Sequence, residues 1–338
     1  MIHLKLPFRE PRRLPFYLAM EEWAARTLPA NDYFFCWRVK PTVICGRNQE
    51  MDKEVDMAYC REAGIDVVRR RSGGGCVYAD LDNFMMSYIC PGDEVTSTFA
   101  RYTTMIASML QEMGLDAVAT GRNDIVISGK KVSGNAFYHI PGRCIAHGTM
   151  LYDFDPSVMK RAITPSRAKL ESKSVKSVES RVTCLTQEGM TMSHDEFEER
   201  IIRSLCDKEI LLSDEDVAAV EAIEKTYYDP EFLYRKGELK TDPAMPELLH
   251  RHGRVDGVGE IDFTISLDSH DRISRIEASG DFFLIGDPEE LIFRHLKGSP
   301  LTGEEILKAL SNAEPQKAIS GLDKESLTEL LIGNVNKG

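Results

Sequence analysis

Ile65-Asp66-Val67-Val68-Arg69-Arg70-Arg71-Ser72-Gly73-Gly74-Gly75-Cys76-Val77-Tyr78 carries a β-branched segment into three arginines, three glycines and a second apolar segment. Ile65–Val68 reads as a strand, since β-branched side chains suit a pleated, half-buried surface. Guanidinium groups make paired hydrogen bonds to phosphate or carboxylate oxygens. Glycine lets the backbone turn with φ > 0 and come close to a ligand. Basic side chains beside bare backbone amides form an anion cradle. The stretch therefore reads as a glycine-rich loop between strands, shaped to hold an anion.

Upstream, Phe16, Ala19, Met20, Trp23, Ala24 and Thr27 fall on one stripe, which predicts a helix over Pro15–Thr27 with Pro15 in its first turn. Tyr33–Trp37 and Pro41–Arg47 read as strands, and a helix from Glu54 to Ala63 ends at Gly64. Downstream, Cys76–Tyr78 and Asn83–Ile89 are expected to pair as a hairpin about Ala79–Asp82. The Phe99, Tyr102, Met105, Ile106, Met109, Leu110 and Met113 stripe predicts a core-facing helix over Thr96–Met113, capped by Gly114.

A second informative stretch runs from Gly121 to Ala136. It reads as a hairpin with strands Asn123–Ile127 and Lys131–Tyr138 joined by Ser128-Gly129-Lys130. Strict alternation would place Lys131, Ser133 and Asn135 on one face. Cys144–Leu151 is a further strand and contains His147-Gly148-Thr149. Ser166–Val182 is polar, serine-rich and basic without a clean period, and reads as a loop able to cover an anionic ligand.

Helices fit Ser193–Cys206 and Ser213–Thr226, and Pro230, Pro243 and Pro246 mark a boundary. Residues 1–245 are expected to form the large domain and residues 250–338 a small α+β domain. In the latter, Ile261, Phe263, Ile265 and Leu267 alternate with polar residues as a half-buried strand, with helices at Pro288–Leu296, Thr302–Leu310 and Asp323–Leu331.

Composition narrows the function. A net charge of −12 argues against a nucleic-acid binder while leaving room for a local basic pocket. No apolar run approaches the ~20 residues that span a bilayer, and the N-terminus lacks the apolar core of a secretion signal. The chain is expected to be cytoplasmic and monomeric. None of the eight cysteines forms a C-x-x-C pair, so buried reduced thiols are expected. His250 and His252 have no evident third ligand and read as solvated residues. G-x-x-x-x-G-K-[ST], a helix-opening G-x-G-x-x-G and G-x-S-x-G are all absent. A glycine-rich loop with arginines and a lysine on a second hairpin suits ATP activation of a second anion such as a carboxylate.

Arg69–Tyr78, Gly121–Asp124, Lys131–Ala136, His147–Thr149, Trp37 with Pro41–Val43 and Gly46–Gln49, and Ser177–Val182 together resemble lipoate–protein ligases. The tail around Gly280-Asp281-Phe282-Phe283 is similar to that family's C-terminal accessory domain. The resemblance implies an α/β (α+β) fold: a large mixed or antiparallel sheet with helices, related to biotin ligases and class II aminoacyl-tRNA synthetase cores. It implies lipoate and Mg-ATP giving lipoyl-AMP and pyrophosphate. The acyl group then passes to a lysine of a lipoyl domain, on a 2-oxoacid dehydrogenase subunit or a glycine-cleavage carrier protein.

Carried over by motif, Arg70, Gly75, Cys76, Val77, Tyr78, Asp124 and Lys131 would contact ATP, and Asp124 is a candidate for Mg²⁺. Lys131, Ser72, Gly74, Gly75 and His147 would contact lipoate. Lys173, Ser177, Val178 and Arg181 would belong to an adenylate-covering loop, and Tyr33, Phe35 and Trp37 are candidates to line the lipoate slot. Lys131 is the expected catalytic residue. A compact ammonium between carboxylate and α-phosphate offsets their repulsion and stabilises charge that grows in the transition state. Cys76 stands where the family often has alanine, and Ala79 where it often has histidine. The competing reading is an ATP-independent lipoyl or octanoyl transferase with a cysteine nucleophile, for which Cys144, near His147, and Cys76 are the candidates.

Overall fold

The computed structural model describes residues 1–120, 123–163, 181–235 and 248–333. They fall into two compact units. The first holds Met1–Cys45, Asp52–Arg70 and Val77–Leu233; the second holds Gly46–Met51, Arg71–Cys76 and the chain from Tyr234 on. Two short pieces of the first half of the sequence thus belong to the second unit, whereas the sequence divides the chain only at residues 245–250.

The first unit is built on an eight-stranded sheet. Its strands are β1 (Ile2–Lys5), β2 (Tyr33–Trp37), β6 (Asn83–Pro91), β7 (Ala117–Ala119), β8 (Asp124–Ile127), β9 (Lys130–Ile140), β10 (Arg143–Leu151) and β11 (Lys208–Leu211). The order is β11-β1-β2-β6-β10-β9-β8-β7, parallel at β11-β1-β2 and antiparallel elsewhere. A smaller sheet joins β3 (Thr42–Cys45) to β4 (Asp66–Arg69) in parallel and to β5 (Val77–Ala79) antiparallel.

Helix α1 (Leu14–Thr27) covers one face of the large sheet. It packs on Tyr33, Phe35, Trp37, Met85, Ile89, Tyr138 and Ile145. The Val95–Glu112 helix covers the other face; Phe99 meets the Phe137 ring at 4.7 Å and the Tyr102 hydroxyl donates to Met86 O. These elements follow the sequence patterns closely. The expected hairpin of Cys76–Tyr78 with Asn83–Ile89 does not form: β5 pairs with β3, and β6 with β2 and β10. Asp80 Oδ1 accepts from Asp82 N and Asn83 Nδ2, and this local turn sends the chain from one sheet to the other.

In the second unit, β12 (Leu249–Val255), β13 (Gly259–Leu267) and β14 (Ile273–Gly280) form an antiparallel sheet. Ile261, Phe263 and Ile265 of β13 enter a core shared with Phe282, Ile292, Leu296, Ile306, Leu327 and Leu331. Asp323 caps the Lys324–Ile332 helix by accepting from Ser326 N.

Candidate active site

The β8–β9 hairpin turns at Ser128 and Gly129, both at positive φ, the pattern of a two-residue type I′ turn. Just beyond it the ladder slips. Val126 faces Lys131, but Ile125 faces Ser133, so Val132 is inserted as a β-bulge. The bulge has a long-range cause. Lys131 N donates to Arg181 O at 2.7 Å, and Lys131 O accepts from Thr183 N at 2.8 Å. The lysine's backbone is thus ladder-bonded to residues 181–183.

The extra residue breaks the alternation expected from the sequence. Lys131 does not share a face with Ser133 and Asn135. Its ammonium lies over Gly134: a Cβ built there would sit 2.6 Å from Nζ and 2.7 Å from Cε. Only glycine leaves that seat open. Asp124 and Thr149 stand opposite Gly134 on the neighbouring strands, hence on the same face. Asp124 Oδ1 lies 2.7 Å from Nζ, each side chain about one-third exposed (34% and 33%). Lys131 is thereby an oriented, solvent-reachable cation on the α1 face of the sheet.

Ser133 and Asn135 point to the other face and are buried there. Ser133 Oγ donates to Asn135 Oδ1 and Asn135 Nδ2 donates to Asn123 O. They serve the hairpin's packing.

His147, two residues from Thr149, is on the same face as Lys131. It is buried, and Nδ1 lies 2.9 Å from both carboxylate oxygens of Glu21, itself fully buried on α1. A carboxylate only accepts, so Nδ1 carries the proton. Ser87 Oγ donates to Glu21 at 2.6 Å, and Trp37 Nε1 donates to Ser87 at 2.9 Å. Tyr17 stacks on Trp37 with ring centroids 4.6 Å apart. Tyr33, Phe35 and Trp37 do share a face, and all three are core side chains.

Glu21 and Ser87 escaped the sequence reading. One signal was available: residues 14–25 of α1 are all buried, so a carboxylate in that helix demands a partner.

Arg70 is buried; its guanidinium donates to Ile44 O and its amide to Cys45 O. Arg69, read as a strand-flanking charge, is also buried and donates to Leu233 O. Val77 and Tyr78 pair with Ile44 and Val43. Burial, then the hydrogen-bonded Asp80 carboxylate, raises the Tyr78 hydroxyl's pKa above the usual tyrosine range.

Ser72, Gly74, Gly75 and Cys76 belong to the second unit. Ser72 is fully buried and its carbonyl accepts from Arg47 N at 2.9 Å. Cys76 is half-buried. Arg181 is exposed, while Lys173, Ser177 and Val178 lie outside the described residues.

Cys144 and His147 lie on opposite faces of β10. Burial pushes the Cys144 thiol up to about 11, and its Sγ contacts Gly92 O at 3.3 Å. Among the described residues no group of three or more His, Cys, Asp or Glu could hold a metal, and no helix is long and apolar enough to cross a membrane.

The fold and this lysine-bearing face define a member of a ligase class. Residues 14–206 match the lipoyl protein ligase A/B catalytic domain, and residues 248–331 match the bacterial lipoate protein ligase C-terminus. The chain belongs to the lipoate–protein ligase family. It is 30% identical over 325 residues to lipoate-protein ligase LplJ of Bacillus subtilis, covering 93% of this chain and 95% of the relative. It is 32% identical over 322 residues to lipoate–protein ligase 1 of Staphylococcus aureus, with the same coverage of 93% and 95%. Among solved structures, P. falciparum LipL1 in complex with lipoate shares the fold, with a TM-score of 0.73 at 18% identity and 98% of each chain covered. A bi-partite lipoate protein ligase from Thermoplasma acidophilum, described with its E2 lipoyl domain, is 26% identical with a TM-score of 0.62, covering 69% of this chain and 96% of that one.

Proposed function

We propose that the chain activates lipoate with ATP and transfers the lipoyl group to a lysine of a lipoyl domain. In the first step a lipoate carboxylate oxygen attacks the α-phosphorus and pyrophosphate leaves, giving lipoyl-AMP. In the second, the acceptor lysine's amine attacks the acyl carbon; an amide forms and AMP leaves. The observation that carries this reading is Lys131: an ammonium seated over Gly134, oriented by Asp124 at 2.7 Å, and open to solvent. It is the bridging cation that the first step needs between two anions. Arg70, Gly75, Cys76, Val77 and Tyr78 are the further candidates for ATP. Ser72, Gly74, Gly75 and His147 are the further lipoate contacts.

Asp124 fits a supporting role for Mg²⁺. That ion keeps several waters and is held by one or two carboxylates plus substrate phosphates, so a single partly exposed carboxylate is enough. Such an ion would neutralise phosphate charge, and Lys131 would be freed to face the substrate. The acceptors are lipoyl domains of 2-oxoacid dehydrogenase subunits or a glycine-cleavage carrier, in the cytoplasm.

The transferase reading requires a thiolate beside a base. Cys144 points away from His147, and its raised pKa leaves little thiolate near neutrality. The decisive assay supplies purified protein with lipoate, labelled ATP, Mg²⁺ and an apo lipoyl domain. Pyrophosphate release and lipoylation are expected. Acyl transfer from a lipoylated donor without ATP, and no pyrophosphate, would overturn the reading.

A further inference from the structure

The triple glycine reads from sequence as a ligand cradle. In the second unit it has another neighbour. A Cβ on Gly73 would lie 3.0 Å from Phe283 Cα and 2.4 Å from Phe282 O, the latter closer than a side chain comes to a backbone. Gly74 N donates to that same Phe282 O at 3.3 Å. Asn48 Nδ2 donates to it as well, at 3.4 Å, while Asn48 O accepts from Gly280 N at 2.9 Å. Ser279 Oγ donates to Glu50 Oε1 at 3.0 Å, and Arg47 N donates to Ser72 O at 2.9 Å. The exit turn of β14, Ser279–Phe283, whose first two residues end that strand, thus holds both short segments that join this unit from the first half of the chain.

The turn is itself rigid. Gly280 has φ 147°, and a Cβ there would lie 2.0 Å from Glu260 O. Asp281 clamps β13 from both sides: its amide donates to Glu260 O and its Oδ1 accepts from Glu260 N at 2.6 Å. The Phe282 ring is buried in the unit's core. A fixed carbonyl on an anchored residue is suited to set the path of a glycine-rich loop.

We propose that Asn48 and the Ser279–Phe283 turn are positioning elements for the Ser72–Cys76 loop, and that Gly73 is glycine because the turn's backbone occupies its side-chain space. The turn touches no reacting atom in this account; it acts through the loop. The idea rests on the ligase reading above, in which that loop serves the activation step. Its consequence reaches both half-reactions, because Ser72, Gly74 and Gly75 would hold the lipoyl group that lipoyl-AMP still carries. Disturbing the seat should weaken the loop's grip on its ligands while the rest of the fold is kept.

The test follows both half-reactions in the full-length protein. Gly73→Ala must move either the loop or the turn. It is expected to slow pyrophosphate release from lipoate and ATP by about 10²-fold, the penalty of an ångström-scale misplacement. Transfer from pre-formed lipoyl-AMP to an apo lipoyl domain should slow as well, since the same loop would hold the adenylate, with the melting temperature kept within a few degrees of wild type. Wild-type rates of both steps in a folded Gly73→Ala protein would overturn the proposal. Should Gly73→Ala fail to fold, Asn48→Ala decides. It removes one hydrogen bond without adding an atom, and should raise the KM for ATP about fivefold with the melting temperature unchanged; an unchanged KM overturns the proposal. A wild-type protein releasing no pyrophosphate would instead count against the ligase reading itself.

Discussion

The two faces of β9 are both polar and both enclosed by helices, yet they do different work. On the face under Val95–Glu112, buried Ser133 and Asn135 hydrogen-bond to each other, and Asn135 to the backbone of half-buried Asn123. On the α1 face, Lys131 and Asp124 pair with a third of each side chain still exposed, and His147 is held by a carboxylate from another element. The first network is closed, so its value is structural. The second leaves a charge accessible to a ligand, which is what chemistry requires. A single inserted residue, Val132, decides which polar side chain goes to which face.

The largest effect that would break this comparison is expected at Lys131. Lys131→Ala should lower the rate of lipoyl-AMP formation by about 10²–10³, or ~2.7–4 kcal/mol of transition-state stabilisation. The fold should survive, because the side chain is partly exposed. Rapid-quench measurement of pyrophosphate checks it; near-normal adenylation would remove Lys131 from the chemistry.

Next is Glu21. Glu21→Ala leaves buried His147 and Ser87 without their acceptor and should cost about 3 kcal/mol of stability. Glu21→Gln, which keeps an acceptor, should cost less. Urea denaturation of the pair measures the difference, and equal losses would show that the ionised carboxylate, which neither variant keeps, matters there rather than volume or a neutral acceptor.

Ser133→Ala sharpens the contrast from the closed side. It removes one neutral hydrogen bond, so about 1 kcal/mol of stability should go while adenylation persists. A loss of activity matching that of Lys131→Ala would mean that both faces serve the reaction. The smallest effect is expected for Cys144→Ser: lipoylation at the wild-type rate. In the wild-type protein, alkylation of this thiol should be slow at pH 7 and accelerate as pH rises towards about 11, where the thiolate forms. Lost lipoylation in Cys144→Ser would revive the cysteine mechanism.

Much of this was legible in the sequence because it is local. The α1 and Val95–Glu112 stripes, the Ser128-Gly129 turn and the alternation of β13 all depend on neighbours within a few residues. Lys131 was recognisable by its place in a motif. Its face was not, because the bulge goes with a hydrogen bond to Arg181 O and one from Thr183 N, some fifty residues on. Glu21 is 126 positions from His147, and no periodicity in α1 distinguishes a paired acid from a misplaced one. The triple glycine carried the right kind of signal, close backbone approach, but the partner of Gly73 is Phe282. Residue type announces that something comes near; only the fold says what.

The central claim is that Lys131 works from the α1 face, over the bare backbone of Gly134. Gly134→Ala tests it most directly. The added methyl would fall 2.6 Å from the ammonium, the movable end of a flexible side chain. The fold should therefore hold while the cation is displaced. Single-turnover formation of lipoyl-AMP is predicted to slow by about 10²-fold, with the melting temperature kept within a few degrees. Wild-type adenylation by a folded Gly134→Ala protein would contradict the account.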